Sequence, residues 1–200
     1  MRADRRIFIH RPTAYDAWPL VAPRRHHRNA RARRRRRLRP SSQVTLGVTA
    51  RGDHVAVKMI TKEKASRETI ERFKFEIEIM HRLTHANIVK FFGACWEPPD
   101  FWLVLELCEG GTLRDHVYSK SEDGNARELA IRPHKLTLLL ETARAMAFCH
   151  DESKFDPPII HRDIKPDNLV LRGAPPALKL ADFGLCRPCP SGACLVCLLY

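Results

Sequence analysis

The chain has 200 residues, room for one domain of ordinary size, and 44% of them are hydrophobic, which excludes a wholly disordered or fibrous protein. Its formal charge of +12 sits in one place: residues 1–40 hold 14 Arg, no Lys and only Asp4 and Asp16 as acids, whereas the remaining 160 residues carry 21 basic and 21 acidic side chains and are neutral. No run of 18 apolar residues occurs, so no membrane-spanning helix is expected.

Arg2, Arg5 and Arg6 are not followed by the apolar stretch of a secretory signal, so the seven Cys read as reduced thiols of an intracellular protein, cytoplasmic or nuclear. Residues 1–40 mix Arg, Pro, Ala and His around the Arg run 33–37, with too few large apolar groups to offset the entropy of folding. This segment is expected to be disordered. It reads either as a polyanion-binding or nuclear-import arm or as a solvated tail, and its scarcity of Ser counts against an organelle transit peptide.

From Val44 onward the pattern is globular. Residues 55–60 form a β-prone run whose two-residue period places Ala56 and Lys58 on one face and Val55 and Val57 on the other. A helix follows, capped by Ser66, with Ile70, Phe73, Ile77, Met80 and Leu83 as its inward stripe. Glu76 falls within that stripe, a costly place for a carboxylate unless a cation meets it.

Residues 88–95 and 101–107 are apolar runs separated by Glu97, Pro98, Pro99 and Asp100, the pattern of a hairpin. Gly110 and Gly111 end the second run, and Thr112 with Asp115 has the spacing of a capping box. Residues 119–127 read as polar loop. Pro133 then starts a second long helix whose apolar face is Leu136, Leu139, Leu140, Ala143, Met146 and Ala147, ending near His150. Pro157 and Pro158 mark a loop, and residues 159–171 are apolar fragments broken by a dense charged cluster.

That cluster reads His161, Arg162, Asp163, Ile164, Lys165, Pro166, Asp167, Asn168, and Asp182, Phe183, Gly184 stand 14 residues after Asn168. With V-A-V-K at 55–58, H-R-D-x-K-P-x-N at 161–168 and D-F-G at 182–184 in that order, the chain resembles the eukaryotic protein kinase family. Lys165 resembles the serine/threonine group, and residues 85–95 look like the tyrosine-kinase-like group of serine/threonine and dual-specificity enzymes.

The resemblance implies an α+β, two-lobed fold with ATP in the cleft between the lobes, and transfer of the ATP γ-phosphate to Ser or Thr of a protein substrate with Mg²⁺. Such a transfer spreads charge over peripheral oxygens, so the work is positioning and neutralisation. By the same resemblance, Lys58 holds the α- and β-phosphates and Glu76 holds Lys58; Asp163 is the catalytic base and Lys165 neutralises the γ-phosphate. Asn168 and Asp182 hold Mg²⁺, while His161 packs and orients. Leu105 is the gatekeeper, the backbones of Glu106 and Cys108 face adenine, and Ala56 and Val170 sandwich its ring.

The chain also departs from the family pattern. Residues 1–57 contain only Gly47 and Gly52, so the glycine-rich loop is absent, and the pattern stops after Arg187. The expectation is a disordered segment 1–40, a partial kinase domain 41–187 that is inactive or weakly active, and an irregular Cys-containing tail 188–200. Such a chain would expose the apolar face of the helix at 133–150. Its alternative functions are those of a catalytically dead binding or scaffold module, or of an Arg-rich nucleic-acid arm. Cys186, Cys189, Cys194 and Cys197 form two C-x-x-C pairs with four residues between them, short of the usual zinc spacing, so coincidence is favoured over a metal site.

Overall fold

A computed structural model describes residues 20–21, 43–49, 52–60, 66–95, 101–118 and 132–189. Their contacts form two compact units, one built on a five-stranded sheet, the other comprising residues 72–90 and the described residues from Cys108 onward.

In the first unit, the β-branched run becomes strand β3 (His54–Ile60), with β2 (Gln43–Thr49) antiparallel on one side and β5 (Phe101–Glu106) on the other. Val55 and Val57 bury against Val104, as the two-residue period requires. The β2–β3 turn is tied by Thr49, whose hydroxyl accepts the Asp53 N–H at 3.1 Å, and Gly52 takes a φ of +88° there. Gly47 has a packing reason, since a Cβ at that position would lie 2.6 Å from a Val57 methyl.

The expected hairpin forms as β4 (Phe91–Cys95) paired with β5, and its turn residues 97–100 lie outside the described residues. Its first strand starts later than expected, because Ile88 instead bridges to Leu180. Strand β1 (Leu20–Val21) completes the order β1-β2-β3-β5-β4 by pairing with Val48 and Thr49. Those two residues belong to the stretch expected to be disordered; the rest of 1–40 lies outside the described residues.

Helix α1 (Arg67–Arg82) starts where expected: the Ser66 carbonyl accepts the Ile70 N–H at 3.0 Å and its hydroxyl the Thr69 N–H at 3.2 Å. Phe73, Glu76, Ile79, Met80 and Leu83 are buried, while Ile70 and Ile77 are half-buried, so the inward stripe is turned slightly toward Ile79.

The second unit holds a three-stranded antiparallel sheet of β6 (Gly111–Thr112), β8 (Leu169–Arg172) and β9 (Ala177–Leu180), and a two-stranded pair of β7 (Ile159–Ile160) with β10 (Arg187–Pro188). Gly110 permits a close approach, since a Cβ would sit 2.6 Å from the Leu171 oxygen that accepts its N–H. Thr112 and Asp115 form both halves of the capping box that opens α2 (Leu113–Val117). The loop expected at 119–127 lies outside the described residues.

Pro133 sits in a 3-10 turn (Arg132–His134) and α3 (Lys135–His150) follows it, packing on β7 and β9. The apolar face read from the sequence is the exposed one, as expected for this helix. Leu138, Ala145 and Cys149 are buried, whereas Leu136, Leu139 and Leu140 are 83%, 66% and 49% exposed. The helix carries apolar side chains on both sides, and the side with the small Ala145 and Cys149 is the one that lies against the strands.

The tail boundary also shifts. Pro188 pairs with Ile159, and Cys189 is buried with its N–H on the Pro158 oxygen at 2.7 Å, so folded structure continues past residue 187. Among the described residues no helix is long and apolar enough to cross a membrane.

Candidate active site

The charged cluster is built from His161 outward. Its Nδ1 accepts the Asp163 N–H at 3.3 Å, which leaves Nε2 to carry the proton and donate to the Ala181 oxygen at 3.0 Å. Its ring meets that of Phe183 edge-on at 4.7 Å. Burial holds its pKa below the ordinary value against the opposing pull of the Ala181 carbonyl, Asp182 and Asp163. A neutral imidazole bonded at both ring nitrogens braces the two segments against each other.

Asp163 is held on three sides. Both carboxylate oxygens accept Lys165 Nζ at 2.8 Å, and Asn168 Nδ2 donates to Oδ2 at 2.7 Å and to the Asp163 carbonyl at 2.8 Å. The side chain keeps 14% of its surface exposed, so a hydroxyl can still approach a carboxylate oriented by charge-assisted bonds. The backbone of Asn168 then reaches the other segment, because its oxygen accepts the Ala181 N–H at 2.9 Å.

Asp182 follows directly. It has a φ of +64°, and Arg162 has a φ of +63°, a left-handed conformation that costs non-glycine residues about 1–3 kcal/mol and persists only where neighbouring bonds enforce it. Gly184 is flanked by two carboxylates: a Cβ there would lie 3.3 Å from Glu76 Oε2 and 3.4 Å from Asp182 Oδ1. The second unit thus gathers Glu76, Asp163, Lys165, Asn168 and Asp182, with Val170 half-buried on β8 and Cys108 half-buried beyond the end of β5.

The remaining assigned residues lie on the sheet of the first unit. Ala56 stands opposite Leu105 across the β3–β5 pair, Lys58 stands opposite Leu103, and Glu106 pairs with Val55. Directly opposed residues share a face, so Ala56, Lys58 and Leu105 are together and Glu106 turns to the other side, where it is buried. The register adds residues that sequence reasoning passed over. Leu46 stands opposite Ala56 and Val44 opposite Lys58, and with Val48 they form an exposed apolar row on that same face. The signal was available in the alternation of Val44, Leu46 and Val48, although reading it required knowing that this face is the open one.

Cys186 and Cys189 are core side chains. Burial, reinforced by the nearby Glu76 carboxylate, pushes the Cys186 thiol up to about 12, and burial does the same to Cys149. Cys194 and Cys197 lie outside the described residues, and all five described cysteines are free thiols.

The donor set suits Mg²⁺. Asn168 spends its amide nitrogen on Asp163, which leaves Oδ1 as its remaining acceptor, and Asp182 supplies a carboxylate oxygen. Among the described residues no group of three or more His, Cys, Asp or Glu forms a complete cage. Mg²⁺ ordinarily takes one or two protein oxygens and completes its shell with water and phosphate, so a sparse set is what it needs.

Comparison with known proteins identifies the family. Residues 40–197 match the protein kinase domain family. The chain is 38% identical over 142 residues to the serine/threonine-protein kinase-like protein CCR2 of Arabidopsis thaliana, covering 71% of this chain and 17% of that protein. It is 34% identical over 153 residues to the receptor-like serine/threonine-protein kinase ALE2 of the same plant, covering 76% and 18%. Serine/threonine-protein kinase CTR1, also from Arabidopsis thaliana, is 35% identical over 136 residues, covering 68% and 16%. The chain belongs to the protein kinase family, with part of that family's α+β domain in the described residues. It spans less than a fifth of the length of each of these three relatives.

Proposed function

We propose that the chain derives from a kinase that transfers the ATP γ-phosphate to Ser or Thr of a protein substrate. The observation that carries this reading is the Asp163 carboxylate, oriented by Lys165 and Asn168 and linked through Asn168 and Ala181 to Asp182. In the reaction, the substrate hydroxyl oxygen forms a bond to the γ-phosphorus as the bond to the ADP oxygen breaks, and the hydroxyl proton passes toward Asp163. Lys165 offsets charge on the transferring group and Lys58 offsets charge on the α- and β-phosphates. Mg²⁺, when bound through Asp182 and the Asn168 amide oxygen, would neutralise the phosphate oxygens. Ala56, Leu105 and Leu46 share one face of the first unit's sheet and offer the apolar surface that an adenine ring needs.

A second reading is favoured by one feature. Both glycines that precede Lys58 are committed to the β2–β3 hairpin, Gly47 to packing and Gly52 to the turn, so neither is available to bring backbone N–H groups over the phosphates. This reading makes the chain a weak or inactive kinase unit that retains binding. A phosphorylation assay with Mg²⁺ and ATP on the purified chain separates the two. Turnover that falls about 10²–10⁴-fold in Asp163→Asn and is lost in Lys58→Ala supports the enzyme. Nucleotide binding without Asp163-dependent turnover supports the binding module, and the absence of both removes the kinase proposal for this chain.

A further inference from the structure

Among the described strands β9 pairs with β8 alone, and its other edge presents the backbone N–H and C=O of Leu178 and Leu180. All four groups are engaged. Leu178 donates its N–H to Glu141 Oε2 at 2.8 Å, and its oxygen accepts Asn87 Nδ2 at 3.0 Å. Leu180 donates its N–H to the Asn87 oxygen at 2.8 Å, and its own oxygen accepts the Val89 N–H at 3.0 Å. Both leucines are fully buried, so these peptide groups have no water to fall back on. Asn87 is itself buried, with its N–H held by His85 Nδ1 at 3.0 Å.

The two kinds of bond act differently. Backbone pairing with residues 87–89 alone would tolerate a strand that slides, because any N–H can replace another along an edge. The Asn87 and Glu141 side chains instead select one residue, Leu178, and hold its backbone oxygen and its backbone N–H, one from each of the two peptide groups that flank it. A slip of one residue in β9 would turn Leu178 and Leu180 out of the core and send the following residues to the opposite face. Those following residues are Ala181, which bonds Asn168 and His161, and Asp182.

We infer that Asn87 and Glu141 are positioning residues for Asp182, acting through the backbone of Leu178 to set the register of β9. The inference rests on the kinase reading for what Asp182 does, and on the bonds alone for what Asn87 and Glu141 do. Displacement of a working group by roughly 1 Å can cost on the order of a hundredfold in rate, so a register lock is a functional requirement as well as a structural one.

The experiment uses the full chain with Asn87→Ala, Glu141→Met and the conservative Glu141→Gln, which keeps an acceptor oxygen. Amide hydrogen exchange is read residue by residue, and ATP binding is measured with and without Mg²⁺. In Asn87→Ala and Glu141→Met, exchange is expected to rise about tenfold at Leu178 and equally at Leu180 and Ala181, with Cys149 in α3 nearly unchanged. The gain in ATP affinity from Mg²⁺ should fall about tenfold while Mg²⁺-free binding stays within about twofold, and Glu141→Gln should behave as the unmodified chain. Faster exchange confined to Leu178, or spread evenly over the unit, overturns the inference, as does an unchanged Mg²⁺ gain alongside faster exchange at Ala181. If Asn87→Ala does not fold, Glu141→Met carries the same test. A native chain with no Mg²⁺-dependent ATP binding refutes the kinase reading, and the exchange profile still decides whether the two side chains set the strand.

Discussion

Helices α1 and α3 are both 16 residues long, and each carries a recognisable apolar stripe, yet α1 buries the stripe its sequence marks whereas α3 turns its marked stripe to solvent. The difference lies in the opposite face. In α1 the other side is Arg, Glu and Lys, so only one rotation about the axis keeps the charges wet. In α3 the sequence KLTLLLETARAMAFCH has apolar residues on both flanks, and periodicity alone cannot choose between them. The structure buries Leu138, Ala145 and Cys149, where small side chains let the helix approach β7 and β9, and leaves Leu136, Leu139 and Leu140 open.

Core truncations should sharpen this contrast most. Phe73→Ala in α1 is expected to cost about 3–5 kcal/mol and Leu138→Ala in α3 about 2–5 kcal/mol, since both are nearly inaccessible to water. Leu139→Ala, one position along and 66% exposed, should stay within about 0.5 kcal/mol. Urea unfolding of the three variants measures this; equal losses for Leu138→Ala and Leu139→Ala would mean that α3 buries both flanks.

The candidate site was more legible than the packing of α3 because its signals are local. Asp163, Lys165 and Asn168 lie within six residues, and their mutual bonds are those of a short loop folding on itself. Glu76 announced itself as a charge inside an apolar stripe, and it is buried. What the sequence concealed is non-local: Asn87 bonds Leu178 across 91 residues and Glu141 does so across 37, and no spacing rule connects residues so far apart. The apolar row of Val44, Leu46 and Val48 was hidden for another reason. Alternation marks two faces of β2, but here the small and hydroxyl side chains of Thr45, Gly47 and Thr49 face inward, opposite to the usual sense.

Acid should weaken the unit that contains α3. His150 at its C-terminal end, His85 stacked on Phe148 of the same helix, and His161 all have pKa values held below the ordinary 6.5, in each case chiefly by burial. Because the unfolded chain binds these protons more readily than the folded one, stability is complete above about pH 6.5 and falls as the pH drops toward the folded values. Thermal unfolding between pH 7.5 and 5.5 should show a declining Tm, with a shallower decline in His85→Gln and His150→Gln. A Tm that rises on acidification would show that these rings gain protons on folding.

The smallest expected effect separates the two helix starts. Ser66 caps α1 with a hydroxyl 3.2 Å from the Thr69 N–H, whereas His134, before α3, makes no side-chain cap bond and has φ −103° and ψ 2° rather than the extended backbone of a good cap. Ser66→Ala should therefore cost roughly 1 kcal/mol, toward the low end of the range for caps because Ser66 is exposed and water can replace part of the bond. His134→Ala removes no such bond and should change stability by only a few tenths of a kcal/mol, within the scatter of about 0.5 kcal/mol usual for surface positions. The comparison is best made from the urea midpoint at constant slope, so that a change in the unfolded ensemble is not mistaken for a lost cap. A His134→Ala cost equal to that of Ser66→Ala would mean that the 3-10 turn ahead of α3 depends on the His134 ring, and that α3 is anchored at its start by packing where α1 is anchored by a hydrogen bond.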